Sequence, residues 1–160
     1  MTIGGFEMRV DTTRFGSIDV DDSAVITMPS GLIGFETCTR FCLIRHRAGE
    51  NFQWLQSVEE PGLAFVVVDP AAYFDGYEIE ISDSDVDRLG LVDAEDAVVF
   101  TIVTIRDGGA SITANLAAPI VINSKNNIGA QVVLQNELYT TRHALIVRQA
   151  AQQTTTAKAA

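Results

Sequence analysis

Positive charge is scarce in this chain. Eleven Lys and Arg residues stand against 21 Asp and Glu, for a formal net charge of −10. Nucleic-acid binding draws most of its affinity from Lys and Arg neutralising phosphates, so direct DNA or RNA binding is disfavoured. Cysteine is nearly absent, with Cys38 and Cys42 alone. A disulfide between them is not expected in a cytoplasmic setting. With His46 they make an evenly spaced Cys-Cys-His set, yet the usual Cys-x2-Cys spacing and a second ligand pair are missing. No metal or cofactor is expected. Histidine catalysis could draw only on His46 and His143, neither set in a nucleophile motif. No apolar run approaches the roughly 20 residues that span a membrane. The first residues lack a basic region followed by an apolar block, so a cytoplasmic protein without a secretory signal is expected.

What the chain does contain is β-forming residues and acids. At 160 residues, 47% of them apolar, it suits one domain with its own core. Short runs rich in Val, Ile, Phe and Thr read as strands at 8–12, 17–20, 24–28, 41–45, 52–57, 64–68, 77–81, 98–106, 111–115, 119–123 and 129–134. Asp107-Gly108-Gly109 is a hairpin signal, since glycine supplies the positive φ of a tight turn. The runs at 64–68 and 97–103 are almost continuously apolar, the mark of strands covered on both faces. Ser82, with Asp85 three residues on and Gly90 beyond, frames a short helix over 83–89. The pattern predicts a mainly β, single-domain, β-barrel-like fold of mostly antiparallel strands with one or two short helices. Residues 1–8 are expected to be flexible, 9–147 to form the domain and 148–160 to be a disordered tail.

The acids are unevenly placed. Between Asp69 and Asp96 the chain carries Asp75, Glu78, Glu80, Asp83, Asp85, Asp87, Asp93 and Glu95 as well, against a single Arg88. Strict alternation in Tyr77-Glu-Ile-Glu-Ile81 puts Glu78 and Glu80 on one face and the apolar residues on the other. A basic protein partner is the natural complement of such a field. Helix capping explains Asp83, Asp85 and Asp87 equally well. Asp83-Ser-Asp85-Val-Asp87 begins like a calcium loop but lacks its later ligands. Gly31-Leu-Ile-Gly34 has the glycine spacing of an RNA-clamping loop but is flanked by acids. Thr113-Ala-Asn-Leu-Ala-Ala-Pro-Ile-Val-Ile-Asn123 offers apolar edges framed by Asn115 and Asn123, suited to binding and devoid of acid–base side chains.

An ordered series of blocks resembles the bacterial FliW family. These are Thr13-Arg-Phe-Gly-Ser-Ile-Asp19, Ile26-Thr-Met-Pro-Ser-Gly-Leu-Ile-Gly-Phe-Glu36, Arg40-Phe41, Trp54-Leu-Gln-Ser-Val58, Pro61-Gly-Leu-Ala-Phe-Val-Val-Val-Asp-Pro70, Val99–Thr104, Thr113–Asn123 and Arg142-His143. The chain departs from the family pattern where Ile33 and Ala144 replace prolines. The resemblance implies a non-enzymatic barrel with two protein partners: flagellin before export, and CsrA, a small RNA-binding dimer that represses translation. Candidate contact residues are Glu78, Glu80, Asp83, Asp85 and Asp87 for a cationic partner, and Asn115 and Asn123 beside the apolar edges. A small β-barrel enzyme or ligand-binding protein with a cleft near His143 is the alternative.

Overall fold

The computed structural model describes residues 7–45 and 51–145. The strands are β1 (Glu7–Thr12), β2 (Gly16–Asp21), β3 (Ile26–Thr27), β4 (Arg40–Arg45), β5 (Phe52–Ser57), β6 (Ala64–Val68), β7 (Ala97–Arg106), β8 (Ser111–Ala114), β9 (Ile120–Asn123), β10 (Ile128–Gln131) and β11 (His143–Ala144). One α-helix, α1, covers Asp83–Leu89. β1 begins at Glu7, inside the stretch expected to be flexible. Residues 1–6, His46 and the expected tail lie outside the described residues.

Pairing closes a ring. β3, β4, β5, β6 and β7 follow one another antiparallel, β7 continues onto β9, and β9 onto β10. β10 then pairs with β3 in parallel through Ile128 and Thr27. A seven-membered ring of alternating strands cannot close on antiparallel pairings alone, so one parallel contact is a necessity of the count. β7 is long enough to serve three neighbours: Ala97–Phe100 pair with β9, Thr101–Val103 with β6 and Val103–Arg106 with β8. β1 and β2 form a separate ribbon. Its turn packs back on β5, with Arg14 4.4 Å from the Trp54 ring centroid and Phe15 edge-on to the same ring.

Period-two alternation sorts the apolar residues into three groups. Phe41, Leu55, Val67, Phe100, Ile120 and Ile122 point into the ring with Ile26 and Met28. Their neighbours point out. Val66, Val68 and Val103 meet Phe74, Tyr77 and Tyr139 on one outer face. Val99, Val121, Ala130 and Val132 meet Ile79, Ile81, Leu89 and Leu91 on another. The continuously apolar strands are therefore covered on both sides, as their sequences predict. Gly129 faces the interior, where an added Cβ would lie 3.2 Å from Ile122 and 3.4 Å from Ile26. Crowding at the parallel closure leaves no room for a side chain there.

Candidate functional site

The acid-rich segment is a strap across the outer face of β7, β9 and β10. Residues 77–81 were expected to be a strand, and here the structure differs. They are extended and alternate, with Glu78 and Glu80 exposed and Tyr77, Ile79 and Ile81 partly buried, yet they join no ladder among the described residues. The alternation comes from packing onto an apolar face, which imposes a period of two whether or not a strand runs alongside. Tyr77 anchors the start. Its hydroxyl donates to the Leu116 carbonyl at 2.8 Å, and its ring meets Tyr139 edge-on at 4.7 Å. Burial, helped by the neighbouring Tyr139, holds the Tyr77 hydroxyl protonated well above its usual range.

The strap leads into α1, whose bounds match the prediction residue for residue. Ser82 Oγ accepts the Asp85 N–H at 3.2 Å, and Gly90 closes the helix in the left-handed conformation at φ 66°. Asp85 departs from the capping-box role in which its carboxylate would reach back to Ser82. It pairs instead with Arg88 Nε at 2.7 Å, one turn on. Leu89 is fully buried under the helix. Glu78, Glu80, Asp83 and Asp87 stay exposed, so four of the five acids assigned to the site are open to solvent.

The amide cluster has a different place. Asn123 is 2% exposed. Its Nδ2 donates to the Leu89 carbonyl at 2.9 Å and the Gly90 carbonyl at 3.1 Å, while its Oδ1 accepts the Lys125 N–H at 2.9 Å. Asn126 adds a second donor to the Leu89 carbonyl at 3.2 Å. The last carbonyls of a helix have no partner within it, and these side chains supply one. Asn123 thus lies beneath the face and positions its helix. Asn115 is half-buried and closes a local turn by accepting the Ala118 N–H at 3.0 Å. Sequence reasoning saw the amides but not the carbonyls they serve, which lie about 35 residues away in the chain.

An open groove of about 1190 Å³ separates the strap from residues 131–136, lined by Glu78, Glu80, Asp83, Arg88, Val133 and Tyr139 among others. A second cleft of about 580 Å³ lies on the strap's other side, against Asn51, Asp69 and β7. His143 lines neither. It sits on β11 with its ring edge-on to Phe74 at 5.4 Å and its Nδ1 buried without a hydrogen-bond partner. Cys38 and Cys42 are free and buried, and burial pushes the Cys42 thiol up. Among the described residues, no three His, Cys, Asp or Glu side chains converge on a metal-sized site.

The fold and this face define a small closed β-barrel whose exterior carries a strap of acids beside an open groove. A profile described as FliW protein matches residues 9–145. The chain is 41% identical over 139 residues to the flagellar assembly factor FliW of Natranaerobius thermophilus, covering 86% of this chain and 92% of that protein. It is 42% identical over 138 residues to that of Heliobacterium modesticaldum, covering 86% and 90%. A crystal structure of the flagellar assembly factor FliW superimposes with a TM-score of 0.81 at 34% identity, over 89% of this chain and all of that one. The chain belongs to the FliW family.

Proposed function

We propose that this chain is a cytoplasmic, non-enzymatic flagellar assembly factor that binds two proteins in turn. It holds flagellin before export, and when flagellin is scarce it binds CsrA and keeps that repressor off the flagellin messenger. The observation that carries this reading is the family match across residues 9–145, together with relatives named flagellar assembly factors over nearly their whole length. No helix among the described residues is long and apolar enough to cross a membrane, and nothing in the reading calls for one.

The acids give the CsrA half of the reading a physical basis. An RNA-binding protein must present cations to phosphates. The exposed Glu78, Glu80 and Asp83, which line one groove, would attract such a protein and, once docked beside its RNA site, repel the messenger. Calorimetric titration of the purified chain with flagellin, with CsrA and with both, at two salt concentrations, tests the whole proposal. Binding to each, with flagellin displacing CsrA, is the expected result. The triple variant E78K/E80K/D83K should bind CsrA roughly tenfold more weakly at low salt, with a flatter salt dependence. Unchanged affinity in that variant would remove the acid face from the mechanism, and failure of both partners to bind would remove the function.

A further inference from the structure

The walls of the larger groove run in opposite directions, as their ends reveal. The Glu78 N–H reaches the Tyr139 hydroxyl at 3.2 Å at one end, and Arg88 reaches the Gln131 carbonyl at 3.4 Å at the other. Between these ends Ile79 and Ile81 pack with Val132 and Leu134 in one apolar layer, but among the described residues no backbone–backbone hydrogen bond joins the two segments. The wall at 131–136 continues β10. Val132 and Leu134 donate to the carbonyls of Pro119 and Ala117 at 2.9 and 2.8 Å, extending the β9–β10 register past Pro119. In an antiparallel pair, successive residues turn their backbone groups to opposite sides. Val133 therefore directs its N–H and C=O away from residues 117–119 and into the groove. Gln131, of the same parity, already does so, since its carbonyl accepts from Arg88. On the facing wall, residues 79–81 make no backbone–backbone hydrogen bond among the described residues. Among the described residues, two antiparallel edges whose backbone groups lack backbone partners thus flank one open slot.

We propose that this slot receives an extended segment of a protein partner as an added β-strand, with cationic side chains at alternate positions and apolar ones between. The proposal rests on the reading of the chain as a binder of proteins, though not on which protein. The pattern follows from the walls. Glu78 and Glu80 face solvent, so the outward residues of an added strand would lie across from carboxylates, where opposite charges are favoured. Its inward residues would rest on the apolar layer of Ile79, Ile81 and Leu134. Among the described residues, Arg88 is the sole cation lining the groove and is already paired with Asp85, so the field there is uncompensated. Unpaired backbone edges supply affinity and the alternate side chains supply selectivity, as in other cases of strand addition.

The test uses the full chain and a synthetic Lys-Val-Lys-Val-Lys-Val peptide, read by amide hydrogen exchange in NMR. Binding should slow exchange at Glu80 and Val133, whose N–H groups face the slot, by roughly tenfold. A peptide N-methylated at alternate residues, unable to pair, should give no protection, and a Glu-Val counterpart should not bind. V133P removes the Val133 N–H that faces the slot and should weaken the peptide on the order of tenfold, while V133A stays near wild type. Equal protection by the N-methylated peptide, or protection mapped elsewhere, would overturn the proposal even if V133P failed to fold. Protection of Val133 before any peptide is added would assign the slot to a second copy if sedimentation finds a dimer. The same protection in a monomer would assign it to the chain's own residues; either result overturns the partner assignment. Flagellin and CsrA titrations of the unaltered chain stand apart, so failure of the slot and failure of the proposed function are separable.

Discussion

The side chain of Asn123, on β9, reaches the carbonyl of Leu89 at the end of α1, 2.9 Å away. This one amide ties the acidic helix to the barrel wall. It satisfies two carbonyls that the helix leaves open, and it does so from a position with almost no solvent exposure.

Replacing Asn123 with Ala should therefore cost about 1–3 kcal/mol, because the Leu89 and Gly90 carbonyls would be left without this donor in a site water cannot freely reach. N126A removes a longer bond to Leu89 and the acceptor of the Ile128 N–H, both at an exposed position, and should cost less, about 1 kcal/mol. Urea denaturation followed by circular dichroism checks both. Equal midpoints for the two variants would contradict the assignment of Asn123 as the principal clamp.

Gly31 is the most constrained glycine of the Gly31–Gly34 turn. It sits at φ 63°, and a Cβ there would lie 2.5 Å from the Phe35 carbonyl oxygen and 2.7 Å from the Glu36 Cα. G31A should lose at least about 2 kcal/mol, since left-handed strain and a backbone clash combine. Gly34 has φ 90° but open space around it, so G34A should lose only about 1 kcal/mol. Thermal melts of the pair separate strain alone from strain plus collision.

Acid should weaken the fold partly through Glu59. Its Oε1 accepts the Thr39 N–H at 2.7 Å and the Arg40 N–H at 3.1 Å. Those bonds, Thr39 first, hold its carboxyl below the ordinary value of 4.5. A group depressed on folding contributes its stability above the ordinary value and loses it as pH falls through the folded one. The stability gap between wild type and E59Q should be fully open near about pH 6 and close on descent to about pH 3. Urea midpoints across that range measure it, and a gap that persists at the acid end would refute the link.

Both cysteines should be silent in the native protein. Cys38 is 5% exposed and Cys42 2%, and thiolate formation at Cys42 is opposed by burial. Alkylation at neutral pH should proceed only as fast as the chain opens, and both thiols should react at once in denaturant. Rapid labelling of one thiol in the folded protein would indicate local opening at that site.

Local chemistry made some elements legible in the sequence. Ser82 and Gly90 bracket α1 because capping is settled within a few residues. Phe52–Ser57 and Ala64–Val68 were readable to their ends because turn residues bound them closely. Residues 77–81 show where such reading stops. Alternation reports which side chains are buried, and a packed strap alternates as a paired strand does. Asn123 reads as a surface amide in the sequence because its acceptors, at the end of α1, are distant in the chain. Nor does any local signal announce that β10 meets β3, since that contact is set by the number of strands in the ring.

That last contact has a consequence for how the chain acquires its shape. Thr27 and Ile128 meet across about a hundred residues, so the hoop cannot be fastened until nearly the whole domain has left the ribosome. Until then β3 and the nascent sheet behind it present a raw margin, the kind of edge that recruits stray strands. Residue 128 is the keystone. A chain cut short before it would retain most of its strands and still be an open, adhesive sheet.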